Sequence, residues 1–466
     1  MARATQTFRC AECGWTTVKW VGRCGECQAW GTLDEVGAAR PATTVATAVT
    51  SPARPIGSVE VEVARSRATG VEEFDRALGG GLVQGAVVLL AGEPGVGKST
   101  LLLEVASRWA RAAGRALYVT GEESAAQVRL RAERTRGLAD DLMLTAETDL
   151  GTVLGHIDQV TPSLLIIDSV QTIASAGVDG AAGGVTQVRE VAGAVIREAK
   201  ARGIATVLVG HVTKEGSIAG PRLLEHLVDV VLHFEGDRHS RLRMVRTIKN
   251  RYGPADEVGC FDLTETGIIS LPDPTGLFVS QHHAPVAGTC VTVTLEGRRP
   301  LLGEVQALVA ASNLGTPRRA NSGLDSSRVA MVLAVLERRG KVPLGGSDVY
   351  TSTVGGARLT EPSADLAILL ALASAAADHP LPAGLVGMGE VGLAGEIRRV
   401  TGLRSRLAEA ARLGVTTALV PADSDVSVPD LRVIEVETVI DALAAIRRPH
   451  AAPHPPAATA EPTHGS

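Results

Sequence analysis

A glycine-rich segment near residue 95 has the residue types and spacing to bind the phosphates of a nucleotide. It follows the apolar run Val87–Ala91, precedes a helix-like stretch and has the pattern G-x4-G-K-S: Gly92, Glu93, Pro94, Gly95, Val96, Gly97, Lys98, Ser99 and Thr100. The glycines let backbone N–H groups wrap phosphate oxygens at a helix N-terminus. We expect Lys98 to reach the β- and γ-phosphates and Ser99 to ligate Mg²⁺. The motif therefore predicts a nucleoside triphosphate site with magnesium.

Carboxylates follow two further apolar runs. Leu164–Ile167 ends at Asp168, which we expect to hold the Mg²⁺ shell at the carboxyl end of a parallel strand. Ala116–Thr120 leads to Glu122 and Glu123, and a glutamate there is a candidate to activate the attacking water. The alternative is that the pair caps the next helix. Spacing leaves open which of the two glutamates would act.

Four of the six cysteines form two C-x-x-C pairs within the first 27 residues: Cys10, Cys13, Cys24 and Cys27. Two such turns suit tetrahedral thiolate ligation, and zinc is the expected metal, with iron as the alternative. Three tryptophans lie in the same segment: Trp15, Trp20 and Trp30. We interpret them as the core of a module too small to fold without metal. The alternative is that they stack on nucleic-acid bases.

The segment 238–251 carries six basic residues and no acid: Arg238, Arg241, Arg243, Arg246, Lys249 and Arg251. Alternation over 241–246 indicates a strand with one charged face, and a solvated edge strand is the simplest interpretation. Lys249 and Arg251 belong to the sequence K-N-R-Y-G. They could reach a neighbouring subunit's γ-phosphate, which would make hydrolysis depend on assembly, or contact DNA phosphates.

These residues need a scaffold of several domains. At about 100 to 200 residues per domain, 466 residues predict two to four domains. Strands alternating with helical stretches between about 57 and 235 predict an α/β domain with a doubly wound parallel sheet. We expect a cysteine module, a flexible linker, an ATPase domain, a second large domain and a disordered tail, at residues 1–36, 37–56, 57–270, 271–446 and 447–466.

Composition excludes some classes of function. The formal net charge of −5 gives no overall attraction to nucleic acid, so a DNA-binding surface must be locally basic. Aromatic residues make up only 3% of the chain, too few for a surface built mainly from stacked bases. No apolar run is long enough to span a bilayer, and the N-terminus has no apolar signal core. We therefore expect no membrane association and a cytoplasmic location.

Five motifs in order closely resemble the bacterial RadA (Sms) family of RecA-like DNA repair proteins: the two C-x-x-C turns, G-E-P-G-V-G-K-S-T, Y-V-T-G-E-E-S, G-H-V-T-K-E-G-x-I-A-G-P-R and K-N-R-Y-G. The resemblance implies a RecA-like P-loop core that binds ATP, Mg²⁺ and Zn²⁺ and works as a homohexameric ring on single-stranded DNA. It implies a DNA-dependent ATPase and 5′-to-3′ helicase that promotes branch migration of recombination intermediates with the RecA recombinase.

The same resemblance extends to site residues. Lys249 and Arg251 would be cations needed for DNA-coupled activity. Lys214 and Arg222 would face the channel of the ring and bind DNA. The residues themselves leave step direction and processivity open, as well as the partner of the zinc module and the role of the tail.

Residues 349–420 resemble the peptidase domain of Lon proteases, which implies a C-terminal α+β domain. Lon-type proteolysis needs a serine activated by a lysine that can lose its proton. Ser363 stands at the serine position, and we assign Arg404 to the lysine position, where an arginine stays protonated. We therefore predict no peptidase activity and a ring-forming scaffold. Four arginines of this domain are candidates for DNA contacts: Arg398, Arg399, Arg404 and Arg406.

Two other classes of function remain as alternatives. An ATP-dependent protease would cleave casein in an ATP- and Ser363-dependent manner, and Arg404 argues against it. A KaiC-like signalling ATPase has a similar sheet and Glu-Glu pair, but it would explain neither the cysteine module nor K-N-R-Y-G. Stimulation of the ATPase rate by DNA distinguishes the DNA motor from the signalling ATPase.

Overall fold

The computed structural model describes residues 7–36, 55–58, 65–211, 222–236, 241–280, 284–313 and 315–447. The chain forms two compact units, Met1–Glu60 and Val61–Ser466. Most of the predicted linker 37–56 and the predicted tail after Arg447 lie outside the described residues; a short 3-10 turn covers Ile56–Ser58.

The first unit contains a small antiparallel sheet with the order β2-β1-β3, formed by β1 (Thr7–Cys10), β2 (Thr16–Thr17) and β3 (Leu33–Val36). Its core is minimal: Cys10, Cys24 and Leu33 are buried, and Phe8, Trp15 and Val21 pack against them. So few apolar side chains cannot stabilise a domain without a further crosslink, which the four cysteines are suited to provide through a metal.

The second unit begins with a two-stranded ribbon of β4 (Ser66–Arg67) and β5 (Leu82–Val83) and then builds a nine-stranded sheet. The strands of this sheet are β6 (Val87–Gly92), β7 (Ala116–Thr120), β8 (Leu142–Ala146), β9 (Leu164–Asp168), β10 (Ala205–His211), β11 (Val230–Glu235), β12 (Leu242–Asn250), β13 (Val258–Thr264) and β14 (Gly267–Ser270). Their order is β14-β13-β12-β11-β6-β10-β9-β7-β8. The six strands from β11 to β8 run parallel, and β12 to β14 extend the sheet antiparallel.

Helices cover both faces of this sheet: α1 (Glu72–Leu78), α2 (Lys98–Ala112), α3 (Ala125–Arg134), α4 (Leu150–Val160), α5 (Val185–Arg202) and α6 (Arg222–Glu225). Alternate residues of β6 point to opposite layers. Val88 and Leu90 join the core under α1, α2 and α3, whereas Val87 and Leu89 join the core under α4 and α5. Burial on both faces explains why the central strands read as continuous apolar runs. The predicted doubly wound sheet is confirmed.

The basic segment does not form an edge strand, so that prediction is wrong. β12 lies between β11 and β13, and Arg243 is buried within the sheet. The strand order decides this point, because the C-terminal part of the sheet returns as two further antiparallel strands. An alternating charge pattern cannot reveal such later strands.

A seven-stranded sheet follows, with the order β17-β18-β16-β15-β19-β22-β23. Its strands are β15 (Thr289–Glu296), β16 (Arg299–Ala311), β17 (Arg319–Ser322), β18 (Ser347–Thr353), β19 (Leu385–Gly387), β22 (Thr417–Pro421) and β23 (Arg432–Val436), with a separate ribbon of β20 (Glu390–Val391) and β21 (Ile397–Arg398). The helices of this region are α7 (Thr275–Phe278), α8 (Ser326–Arg338), α9 (Asp365–Ala377), α10 (Leu403–Arg412) and α11 (Val439–Arg447). The core on one face includes α8, α9 and α11, and the core on the other includes α10.

The β15–β16 hairpin joins the two large sheets. Arg299 is buried and forms an ion pair with Glu73 of α1, which also accepts the backbone N–H of Cys260. Beside it, Arg246 of β12 donates to Glu296 at 2.6 Å. A buried charge requires such a partner, so these contacts hold the hairpin in one position against the nine-stranded sheet.

Among the helices of the described chain, none is both long and apolar enough to cross a membrane.

Candidate nucleotide site and metal centre

The glycine-rich motif forms the turn between β6 and α2. Gly95 and Gly97 have φ of +81° and +111°, backbone conformations that residues with a Cβ rarely adopt. Helix α2 begins at Lys98 directly after this turn, with Ser99 and Thr100 half-buried in its first turn. The turn therefore presents helix N–H groups where an anion can bind.

The Lys98 ammonium folds back over this turn. It is 3% exposed, and Nζ donates to the carbonyl oxygens of Gly92 and Glu93, each at 2.9 Å. Burial lowers its pKa to about 8, although the charges of Asp168 and Glu122 act in the opposite direction.

Asp168 stands at the carboxyl end of β9, two strands from β6. One carboxylate oxygen, Oδ2, accepts the Tyr118 hydroxyl at 2.6 Å. The other, Oδ1, is buried and has no hydrogen-bond partner within the described residues. A buried carboxylate oxygen left free is costly unless a cation or water satisfies it, so the residues fit a hydrated Mg²⁺ ion held by Asp168 and Ser99.

The two adjacent glutamates have different surroundings. Glu123 forms an ion pair with Arg131 of α3 at 2.5 Å. Glu122 points to the carboxyl edge of the sheet, where its Oε1 accepts the Ser169 hydroxyl at 2.6 Å and contacts His211 Nε2 at 2.8 Å. The hydrogen bond from His211 lowers the pKa of Glu122 to about 2, so Glu122 is a carboxylate at neutral pH. The alternative helix-capping role is wrong, because Ser124 caps α3.

Three residues of this edge escaped the sequence analysis as site residues. Tyr118, Ser169 and His211 each contact one of the predicted carboxylates. His211 Nδ1 is buried and has no partner within the described residues. Ser169 directly follows β9 and His211 ends β10, and those positions are a signal that the sequence carries. Tyr118 lies in the middle of β7, where nothing in the sequence distinguishes it from a core residue.

Arg243 reaches the nucleotide loop from β12. Its Nε donates to the carbonyl of Val96 at 2.9 Å. Other cations of the basic segment are also engaged, since Arg241 pairs with Asp262 at 2.6 Å. Most of the described charges in this segment therefore support the fold rather than forming a free basic face; Arg238 lies outside the described residues.

Lys249 and Arg251 lie far from this chain's own nucleotide loop. Lys249 pairs with Val231, near the start of β11, whereas Phe234 further along β11 pairs with Gly92. Three residues at about 3.3 Å each put Lys249 ~10 Å back along the sheet from Gly92. Arg251 lies still further toward the amino edge of the parallel strands.

Both cations of K-N-R-Y-G have partners in the chain. Lys249 Nζ donates to the carbonyls of Glu225 and Val228, each at 2.8 Å. Arg251 donates to Asp229 at 3.3 Å, and 54% of its side chain is exposed. Of the two predicted channel residues, Lys214 lies outside the described residues, and Arg222 begins α6 but its side chain lies outside them too.

The four N-terminal cysteines converge as predicted. Their sulfur atoms all lie within 4.8 Å of one another, with Cys10 to Cys27 at 3.7 Å and Cys13 to Cys24 at 3.6 Å. A tetrahedral site with Zn–S bonds of about 2.3 Å needs sulfurs ~3.8 Å apart, so the cluster fits zinc. A hydrogen bond with Thr32 contributes most to lowering the pKa of Cys10 to about 6, which favours the thiolate that binds metal.

The tryptophans of this module do not all form its core, so that interpretation is only partly right. Trp15 packs against the buried cysteines. Trp20 and Trp30 are 59% and 74% exposed. A domain of this size has too few buried positions for three indoles.

Ser363, at the predicted serine position of the Lon-like region, belongs to a buried network of hydrogen bonds. Ser363 is buried in a 3-10 turn just before α9. The residue that donates to its hydroxyl, at 3.0 Å, is Arg406 and not Arg404. Arg406 is fully buried and also forms an ion pair with Glu361 at 2.7 Å, whereas Arg404 is exposed. Arg404 and Arg406 lie two positions apart in the first turn of α10, so they point to opposite sides of the helix and only one of them faces inward.

The structure limits which of the four predicted arginines of this region can contact DNA. Arg406 is inaccessible, so its predicted DNA contact is wrong. Arg398 pairs with Glu390 and Glu396, and Arg399 donates to the carbonyl of Asp423.

Three family models match separate parts of the chain. Residues 55–217 match the AAA domain, residues 8–35 match the rubredoxin metal binding domain, and residues 351–444 match the Lon protease (S16) C-terminal proteolytic domain. The matches confirm the predicted fold class: a P-loop ATPase core of mixed α/β structure, a four-cysteine zinc module and a Lon-like C-terminal region.

Curated proteins of the same name resemble almost the whole chain. The DNA repair protein RadA of Mycolicibacterium smegmatis is 57% identical over 454 residues, which cover 94% of this chain and 96% of that protein. The protein of that name from Mycobacterium tuberculosis is 56% identical, over 95% of this chain and 93% of its own length. The one from Streptococcus pyogenes serotype M1 is 42% identical, over 96% of this chain and 100% of its own length. Identity at this level over the full length, together with the matched domains, shows that the chain belongs to the RadA family.

Proposed function

We propose that the chain hydrolyses ATP at the carboxyl edge of the nine-stranded sheet. Residues 92–100 would bind the phosphates, with Lys98 on the β- and γ-oxygens, and Ser99 and Asp168 would hold Mg²⁺, which neutralises charge on the phosphates. One observation carries this proposal: the P-loop, Asp168 and Glu122 meet at the same edge of the sheet. There Asp168 Oδ1 is buried without a hydrogen-bond partner among the described residues, and Glu122 is ionised.

Glu122 is our candidate for the residue that orients the attacking water. It is held by two hydrogen bonds at the sheet edge, whereas Glu123 is held by Arg131. A carboxylate with a pKa of about 2 is a weak base, so its role would be to fix and polarise the water more than to remove its proton. Glu123 would position α3.

We propose that hydrolysis is coupled to DNA. The relatives are named for DNA repair, and the resemblance of motifs supports a DNA-dependent ATPase and 5′-to-3′ helicase in homologous recombination. The chain would form a homohexameric ring on single-stranded DNA in the cytoplasm and promote branch migration of recombination intermediates alongside RecA. Lys214 and Arg222 would contact DNA in the channel.

Lys249 and Arg251 would act across a subunit boundary. Their position ~10 Å or more from the level of this chain's own P-loop supports a role on a neighbour's γ-phosphate. Arg251 is half-exposed, and its side chain makes a long contact to Asp229 at 3.3 Å, so it can exchange that partner for a phosphate. Contact with DNA phosphates is the second role we assign to this pair.

We propose domain limits of 1–36 for the zinc module, 37–56 for the linker, 57–270 for the ATPase, 271–446 for the Lon-like domain and 447–466 for a disordered tail. In support, β14 ends at Ser270 and α11 ends at Arg447. The Lon-like domain would be a scaffold without peptidase activity, because the buried guanidinium of Arg406 cannot deprotonate Ser363. Casein cleavage that required both ATP and Ser363 would refute this.

The test of the proposed function is the ATPase rate with and without single-stranded DNA, at low and high salt. Wild type should be stimulated by DNA, and salt should weaken the stimulation because phosphate contacts release counterions. Lys98→Ala should be inactive, and Lys249→Ala should lose most of the stimulation. A wild-type rate indifferent to DNA would move the assignment to a signalling or protein-directed ATPase.

A further inference from the structure

The zinc module exposes two tryptophans that its core does not use. The chain has only four, and Trp15 and Trp109 are the ones that pack in cores. Trp20 and Trp30 are 59% and 74% exposed, and nearby Val18 is 66% exposed. Exposing this much aromatic surface to water is unfavourable in free energy, so we expect a partner to cover it.

The two indoles are neighbours. Gly22 lies between them: a Cβ at that position would be 3.7 Å from the Trp30 ring and 3.9 Å from the Trp20 ring. The backbone at Trp30 is fixed by a β-bridge to Arg23 and by the N–H of Gly31, which donates to the Gly22 carbonyl at 3.0 Å. A fixed backbone reduces the conformational entropy that Trp30 loses when a partner binds.

Cations flank the indoles. The Arg23 guanidinium lies 5.7 Å from the centre of the Trp30 ring, and exposed Lys19 precedes Trp20 in the chain. Arg23 Nε donates to the carbonyl of Gln28 at 2.9 Å, and in the described part of the module neither cation has a carboxylate partner. The segment from Val18 to Arg23 contains no acid, although the module as a whole carries several.

We propose that this tryptophan surface, formed by Val18, Lys19, Trp20, Arg23 and Trp30, binds single-stranded DNA by stacking bases on the two indoles. Exposed aromatic rings beside cations that have no carboxylate partner in the described residues match both parts of a single strand, its bases and its phosphates. A purely apolar protein partner would leave Lys19 and Arg23 without counter-charges. The inference rests on the proposed function for the choice of DNA, and it gives the zinc module a direct role in capturing the strand.

The experiment measures the affinity of the full-length protein for a fluorescent oligothymidine by anisotropy. Substitution of either indole by alanine, Trp20→Ala or Trp30→Ala, should weaken binding about tenfold, because stacking on one aromatic ring contributes that much. Trp30→Phe should retain most of the affinity, whereas Trp30→Leu should lose it, since leucine is apolar but has no π-face. Leu393→Ala is the matched control, because Leu393 is a 67% exposed apolar residue of the Lon-like region.

Zinc content of each variant reports whether the module still folds, so a loss of affinity in a zinc-loaded variant supports stacking. Unchanged affinity in both alanine variants would overturn the inference. Equal affinity of Trp30→Phe and Trp30→Leu would also overturn it and point to a protein partner. The ATPase rate of wild type with DNA distinguishes failure of this inference from failure of the proposed function. If DNA stimulates wild type but the tryptophan variants bind DNA normally, only this inference fails. If wild type neither binds DNA nor responds to it, both fail.

Discussion

Burial controls the chemistry of Lys98. Desolvation lowers its pKa to about 8 in the protein alone. Bound phosphates would raise it again, because an adjacent negative charge favours the ammonium. Nucleotide binding is therefore linked to protonation of this side chain.

We predict that ATP binding takes up about half a proton at pH 8, where half of the free Lys98 side chains are protonated. Affinity should be nearly constant below this pKa and fall by up to about tenfold per pH unit above it, because the complex binds more protons than the free protein. Titration calorimetry in buffers of different ionisation enthalpy measures the uptake. Lys98→Arg is the control, since arginine stays protonated and should show no uptake; equal uptake in that variant would contradict the prediction.

The two glutamates give a second prediction for individual residues. Glu122→Gln should lower the rate of ATP hydrolysis by about 10²- to 10⁴-fold with ATP affinity retained, because it removes the group that polarises water. Glu123→Gln should reduce the rate by much less, since it breaks only the ion pair with Arg131. Single-turnover hydrolysis and nucleotide binding are measured on both. A larger loss in Glu123→Gln would reverse the assignment.

At the scale of elements, helix α10 determines which arginine contacts Ser363. Arg406 points inward from the first turn of this helix, and its guanidinium contacts Ser363, Glu361 and the carbonyl of Val293. Each buried group of the network has a partner. The network is thus a structural link between α10, β15 and the turn before α9.

We predict that Arg406→Ala destabilises the Lon-like region by about 3–5 kcal/mol, because it removes the cation of the ion pair with Glu361 and the donor to buried Ser363. Arg404→Ala should change stability by less than about 0.5 kcal/mol, because Arg404 is exposed. Denaturant unfolding followed by circular dichroism compares the two variants. Equal stability would show that the buried network contributes little.

At the scale of the whole molecule, the sheet separates the nucleotide loop from K-N-R-Y-G. The loop lies at the carboxyl edge of the parallel strands, and Arg251 lies at the amino edge beside Asp229. One chain therefore cannot bring both to the same γ-phosphate. If these cations act on a γ-phosphate, as we propose, it must be that of a neighbouring chain.

A subunit-mixing experiment tests this arrangement. Lys98→Ala and Lys249→Ala proteins should each show little DNA-stimulated activity alone, and an equal mixture should recover up to about one quarter of that activity in wild type. Random assembly would pair an intact P-loop with an intact neighbouring Lys249 at that fraction of sites. Lys200→Ala is a control for loss of a cation near Asp229, and it should stay active. No recovery on mixing would contradict a role across the boundary.

Short-range sequence patterns were enough to predict the parts of the protein whose chemistry is local. The strand–turn–helix around Gly92–Ser99, the two C-x-x-C turns and the buried strands that end at Asp168 and Thr120 follow from short-range spacing and apolar runs. Backbone geometry within a few residues is enough to position these groups, so they could be predicted without the fold.

Which side chains contact one another depends on the three-dimensional fold. It brings His211 and Ser169 to Glu122 rather than Glu123, inserts β12 between two strands, turns Arg406 rather than Arg404 toward Ser363, and leaves Trp20 and Trp30 exposed. Each choice depends on contacts between residues far apart in the chain, or on the number of positions that a small core can bury. The spacing of neighbouring residues in the sequence predicts neither these contacts nor the number of side chains that a small core can bury.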